Sequence, residues 1–340
     1  MKQLISLSNC SGRHEPGYAR SDWLQPLLAR HRLDGIEIQL GTAWQAGWPS
    51  PQWVYGAALA PGECWLDFWR QDQQALLSRF GSEENIKAYY GGLTRDEWLE
   101  GCRQQINAAR AAGARYLVFP VGEVKPWEAY TWQFGTTDEE VVTAAVEVIN
   151  ELVACIPDDM ALLFENQWFP GLRLQDKPTV LRLIRGVRHP NIGIMLNTGH
   201  LLNTNHHLKT EVEGVEYILA VLRKLRLYRE DIRGLRLNCS LSGEYVLRRQ
   251  RQIAGGNLRA EEWPEYRLRI DEQQPFRVPA VKRIVYEVRP EVLVHHFRSE
   301  PFNDNWERKI RRQQEALLRP AERRRQLNKP VRTVNKKPER

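Results

Sequence analysis

The stretch "GIMLNTGHLLNTN", residues 193–205, carries an unbroken apolar run into a cluster of polar side chains around one histidine. Ile192, Ile194, Met195 and Leu196 show no polar alternation, so the strand must be covered on both faces. That is the mark of a parallel sheet clad in helices, not of a hairpin with one wet side. The run stops at Asn197, Thr198, Gly199 and His200, where a buried strand opens into a site.

Working outward, seven more short apolar runs appear, at residues 4–7, 35–38, 54–59, 116–121, 161–164, 234–237 and 292–297. Helical periods separate them. Residues 139–156 place Val141, Ala145, Val148, Ile149, Leu152 and Ile156 on one stripe, and Thr137 with Glu140 can form a capping box; Thr94 and Glu97 repeat that signature before a helix ending at Gly113. Residues 215–225 and 278–288 repeat the apolar spacing. Eight alternating units predict a (β/α)8 barrel. A doubly wound sheet is the alternative, weakened because no glycine-rich turn follows the first strand.

Two connections are longer than one helix requires: residues 60–93, after the third strand, and 239–277, after the seventh. Extra chain there falls on the face where such barrels place their sites, so both are candidate lids. In the first, "WLDFWR" gathers Trp65, Asp67, Trp69 and Arg70. Trp65 and Arg70 suit a sugar ring and a phosphate, or equally a set of anchors pinning the insertion to the barrel.

At 340 residues, with 42% hydrophobic and 27% charged residues, the chain suits one large globular domain over residues 1–300. The five cysteines are too scattered for a disulfide framework or a zinc knuckle. The opening residues lack a signal-peptide pattern and no apolar run approaches membrane length, which predicts a cytoplasmic protein without membrane partners. The net charge of +7 is concentrated: residues 307–340 hold 13 Lys or Arg against 4 Glu. Residues 301–340 therefore read as a basic, partly helical and partly disordered extension, with nucleic acid as the alternative partner. No aromatic residue follows Trp306, which argues against a stacking platform for single strands.

Four segments, "LLFEN" (162–166), "GIMLNTGHLLNT" (193–204), "GLRLNCSLSGEYV" (234–246) and "EVLVHHF" (291–297), resemble in order the strand ends of the xylose isomerase-like TIM-barrel superfamily, over roughly residues 1–300. That superfamily includes sugar-phosphate isomerases and epimerases and the AP endonuclease family 2 enzymes. The resemblance implies a divalent metal held by a Glu, an Asp, a His and a last Glu. Glu165 matches the first ligand and His200 the histidine of the D-T-G-H segment. Asn197 stands in place of the Asp, Asn238 in place of a His, and His296 in place of the final Glu.

The altered set carries one negative charge where the family carries three, so a hard cation loses most of its partner. A substitute set of Glu165, His200 and His296 is the metal-binding alternative. Glu165 and His296 are the candidate acid–base groups. A carboxylate at Glu165 needs a metal, an arginine or a proton-transfer task. Glu37, Asn197, His200, Asn238, Ser240, Trp65 and Arg70 are candidate ligand contacts, for a sugar-like or phosphorylated small molecule. His206 and His207 read as exposed. Two functions follow: a divergent isomerase/epimerase-like barrel that binds such a molecule with impaired metal chemistry, a pseudoenzyme in the limit, or an active metal-dependent isomerase, epimerase or phosphoester hydrolase.

Overall fold

The computed structural model describes residues 1–8, 23–40, 50–227, 230–254, 263–298 and 304–318. Asn9, which the sequence also leaves open as a residue for Glu37 to brace, and the basic residues 319–340 lie outside the described residues. Eight parallel strands close into one barrel in chain order: β1 (Lys2–Ser8), β2 (Gly35–Gln39), β3 (Val54–Ala58), β4 (Tyr116–Pro120), β5 (Ala161–Glu165), β6 (Ile192–Asn197), β7 (Ile232–Leu237) and β8 (Val292–His295). The predicted (β/α)8 barrel is the fold, and residues 193–205 are its sixth strand with the turn of helix that follows.

Helices connect the strands on the outside: α1 (Leu24–His31), α2 (Leu66–Trp69), α3 (Gln73–Phe80), α4 (Glu83–Tyr90), α5 (Arg95–Ala111), α6 (Pro126–Thr131), α7 (Asp138–Leu152), α8 (Lys177–Gly186), α9 (Thr198–Asn203), α10 (Glu211–Leu225), α11 (Gly243–Ala254), α12 (Trp263–Ile270) and α13 (Lys282–Val288), with α14 (Asp304–Leu317) after the last strand. Thr94 with Glu97 and Thr137 with Glu140 form the capping boxes expected, and Thr210 with Glu213 forms a third. Each satisfies backbone donors that a helix start otherwise leaves open. The stripe of α7 buries Val141, Ala145, Val148, Ile149 and Leu152, and each of the valine, isoleucine and leucine side chains stabilises the fold by roughly 1.5–3 kcal/mol.

The period of two along each strand positions the site. Ile5, Ile36, Leu117, Leu162, Ile194, Leu235 and Leu293 face the helices, while Leu4, Val118, Leu163, Met195 and Val294 fill the barrel interior. Two residues on from the interior set, the same parity delivers Ser6, Glu165, Asn197, Arg236 and His296 to the C-terminal mouth. His295 has the opposite parity and turns outward. Its Nδ1 accepts from Gln313 Nε2 at 2.9 Å, and that amide also donates to the Leu237 carbonyl at 2.9 Å. Gln313 lies on α14, whose Trp306, Ile310 and Ala316 are buried. Packing against the barrel thus continues onto α14.

Candidate functional site

A cavity of about 490 Å³ opens at the C-terminal ends of the strands, and Glu165, His200, Arg236, Asp271 and His296 all line it. At its floor Arg236, on β7, reaches across to two carboxylates. Its Nη1 lies 2.6 Å from Glu165 Oε1 on β5, and its Nε donates to Glu37 Oε1 on β2 at 2.8 Å. Nη2 is also 2.8 Å from Glu37 Oε1 but is not aligned for a hydrogen bond. Tyr116 donates its hydroxyl to the other Glu37 oxygen at 2.9 Å. Gly56 makes room for that tyrosine, since a Cβ there would run into its ring. All four side chains are buried.

Charge explains the arrangement. A carboxylate buried without a partner is costly, and one planar guanidinium can serve two at once. Burial works against the Glu165 carboxylate, but the charges of Arg236 and His200 outweigh it and hold its carboxyl below the usual range. Glu37 lies deeper; burial dominates there and pushes its carboxyl up despite Arg236.

A chain of amides continues from Glu165. Asn197 Nδ2 donates to Glu165 Oε1 at 2.8 Å, and Asn238 Nδ2 donates to Asn197 Oδ1 at 2.9 Å. That same oxygen accepts from the backbone N–H of His200 at 3.2 Å, so Asn197 is the N-cap of α9. Asn166 clamps the turn, accepting the Asn197 N–H at 2.7 Å and donating to its carbonyl at 3.1 Å. Gly199 is required by close approach, because a Cβ would collide with the Asn238 side-chain oxygen.

The histidines differ sharply. His200 Nδ1 is 2.8 Å from the Asn166 carbonyl, and Nε2 is 3.6 Å from Asp271 Oδ2. Burial opposes protonation of His200, but the neighbouring Asp271 carboxylate outweighs it and raises its pKa to about 9. Asp271 is held well below the usual carboxylate range, burial being outweighed by His200. Ser240 donates to Asp271 Oδ1 at 3.1 Å and Gln273 to Oδ2 at 2.6 Å. His296 is lowered to about 3 by burial and then by Arg236, and its Nδ1 is buried without a hydrogen-bond partner among the described residues.

The geometry sorts the expected residues. Glu165, His200 and His296 share the cavity wall. Glu37 lies beneath them behind Arg236, and Asn197, Asn238 and Ser240 are fully buried supports that do not line it. Trp65 and Arg70 are elsewhere. Trp65 is buried, donating Nε1 to the Gly122 carbonyl at 2.9 Å and stacking on Trp98, while Arg70 meets Glu140 on α7 at 3.4 Å. Neither lines the cavity. The second insertion contributes Arg267, Leu268, Asp271 and Gln273 to the cavity. His206 is not exposed: it is half-buried, edge-on to Trp132 with ring centroids 4.0 Å apart.

Glu165, His200 and His296, the alternative metal set, meet at the cavity wall without forming a ligand cluster. Among the described residues no group of three or more His, Cys, Asp or Glu side chains is placed to hold a metal ion. The donor chemistry does not fit either: Glu165 Oε1 is engaged by a cation and an amide donor, and both nitrogens of His200 already face acceptors. Arg236, Tyr116, Asn166 and Asp271 were not singled out in the sequence. Arg236 had a signal, since a charged residue two positions before Asn238 on an apolar strand must share its inward parity.

Among the described residues no helix is long and apolar enough to cross a membrane. The family model described as xylose isomerase-like TIM barrel matches residues 68–239. A xylose isomerase-type protein from Rhodospirillum rubrum is structurally similar, with a TM-score of 0.52 and 11% identity over 92% of this chain and 98% of its own. Endonuclease IV from Thermus thermophilus aligns over 93% of this chain and 99% of its own, at 16% identity and a TM-score of 0.48. No curated protein matches in sequence. With more than half of its length covered by that model, the chain belongs to the xylose isomerase-like TIM barrel family.

Proposed function

We propose that this barrel binds a small, polyhydroxylated, sugar-like molecule at its C-terminal mouth without a metal ion, the Arg236 guanidinium taking the electrostatic place of the cation. The observation that carries this reading is the insertion of Arg236 between Glu37 and Glu165. A bound cation would compete with a guanidinium for the same carboxylate oxygens, and Asn197 adds no charge to attract it. The cavity walls suit the ligand class. Ser6 and Gln167 offer hydroxyl and amide groups, and Trp168 and Phe297 offer flat apolar faces. Arg298 at the same cavity supplies positive charge for a phosphate or carboxylate substituent, while Arg267 there is paired with Glu63 at 2.6 Å.

The test is a thermal-shift screen of polyols, sugars and sugar phosphates, run in chelator and again with divalent metals. A ligand selective for the native state raises the melting temperature by mass action. The reading expects at least one such compound to stabilise the protein equally in chelator. Stabilisation that appears only with a divalent metal would overturn it and favour the metal-dependent isomerase, epimerase or phosphoester hydrolase built on Glu165, His200 and His296.

A further inference from the structure

Tyr245, Arg248, Arg249 and Gln252 recur at three- and four-residue spacing, so they share one face of α11, and Glu265, Tyr266 and Arg269 share one face of α12. The two faces enclose a second cavity, of about 350 Å³. The partition is α12 itself: Arg267 and Leu268, on its other face, line the barrel mouth instead.

Charge in this second cavity is lopsided. The Arg248 and Arg269 guanidinia each lie 5.7 Å from the centre of the Tyr245 ring. Burial raises the Tyr245 phenol, and the charges of Arg249, Arg269 and Arg248 all oppose that rise, so three cations converge on one hydroxyl. Among the described residues lining the cavity, Glu265 is the one carboxylate. Its pair with Arg269, at 3.0 Å and four residues apart on the helix, is solvent-exposed and contributes little. Arg249 donates to the uncharged amide oxygen of Gln252 at 3.3 Å, and Arg248 makes no hydrogen bond or ion pair among the described residues. Like charges gathered this way repel one another, and a bound polyanion relieves the repulsion. We propose that this cavity is a separate ligand site for a diphosphate-bearing small molecule, with the guanidinia of Arg248, Arg249 and Arg269 taking its phosphoryl oxygens.

Guanidinium forks match phosphate oxygens in pairs, and the excess of cations suits two adjacent phosphoryl groups better than one. Tyr245 and Tyr266, with ring centroids 5.6 Å apart, supply apolar wall beside the charges. Tyr266 is fixed from behind by stacking on Tyr130 of α6 at 4.4 Å, so that part of the wall is formed before a ligand arrives. Neither Arg248 nor Arg269 lines the barrel mouth, so this site stands or falls independently of binding there.

The experiment titrates the full chain with inorganic pyrophosphate, ADP and inorganic phosphate by calorimetry, in chelator and at constant ionic strength. Pyrophosphate is expected to bind saturably and about 10-fold or more tightly than phosphate. Its affinity should fall by about 10-fold or more in Arg248→Gln and in Arg269→Gln, since each loses a charge-assisted contact. Binding of ADP as tight as pyrophosphate assigns the site to an organic diphosphate, and pyrophosphate binding without ADP assigns it to the inorganic anion. No saturable binding of pyrophosphate or ADP up to about 1 mM would overturn the inference, as would no preference over phosphate. Affinity undiminished in either variant would also overturn it, placing the anion on another surface such as the barrel mouth. Each variant is checked for folding by its melting transition; if one does not fold, the other decides.

Discussion

Replacing Arg236 by methionine removes one buried cation and leaves two carboxylates facing each other across the barrel floor. Breaking a buried ion pair by deleting one partner costs about 3–5 kcal/mol, because the remaining charge is uncompensated. Here Glu165 and Glu37 both lose their counter-ion, so the upper half of that range is expected. For a chain of this length, with an unfolding entropy of about 2 cal/mol/K per residue, that corresponds to a fall of roughly 5–7 °C in melting temperature. The sign of the pH response is specific. In the native protein Glu165 is held below its usual range, so its contribution is present at neutral pH and is lost as pH falls through its folded value. In Arg236→Met both carboxyls are raised by burial, so the variant gains relative stability as pH falls from 8 to 5. Urea unfolding at the two pH values reads both effects, provided the denaturant slope is unchanged. The triple variant Glu37→Gln, Arg236→Met, Glu165→Gln should recover more than half of the loss, since no buried charge is left. A cost for Arg236→Met under about 1 kcal/mol at pH 8, below the range for a broken buried pair, would refute the idea that this cation balances the floor.

Asn197→Asp alone should not create metal binding, because Arg236 still occupies Glu165; it should instead destabilise the fold by about 1–3 kcal/mol, since the amide that donates to Glu165 becomes a repelling carboxylate, and tight metal uptake by this variant would contradict the expectation. Glu123 is a buried carboxyl raised to about 7 by burial, its Oε2 accepting the Trp65 and Leu66 amides at 2.6 and 3.2 Å. A raised acid binds more protons folded than unfolded, so stability should fall by about 3 kcal/mol between pH 4.5 and 7. Glu123→Gln should abolish that slope and be the more stable protein at pH 8, as read by urea unfolding. Trp65→Ala should cost about 3–5 kcal/mol as a core deletion while leaving ligand affinity at the barrel mouth unchanged in a binding titration.

Strand spacing made the barrel legible because each buried strand is an uninterrupted apolar run and each helix shows a separate 3.6-residue stripe. Capping boxes at Thr94 and Thr137 could be read to the residue, since their chemistry is local. The site was legible where one residue decides it. Glu165 at a strand end demanded a partner, and the adjacent pair His295 and His296 allowed one inward side chain. What could not be read was pairing across the barrel. Arg236 and Glu37 are 199 positions apart in sequence and meet through closure of the sheet. Asp271 reaches His200 only because the second insertion folds back over the mouth, and loop paths of that length carry no periodic signal. "WLDFWR" stays open in the sequence for a related reason: aromatic and charged residues look alike whether they greet a ligand or anchor a helix.

If a guanidinium stands in for the metal, elemental analysis of protein purified without chelator, followed by titration with zinc, manganese, cobalt and magnesium under a melting-temperature readout, will find no site. Far less than one equivalent of any of these metals and no change in melting temperature are expected. One equivalent of tightly held metal, lost in Glu165→Ala, would contradict it.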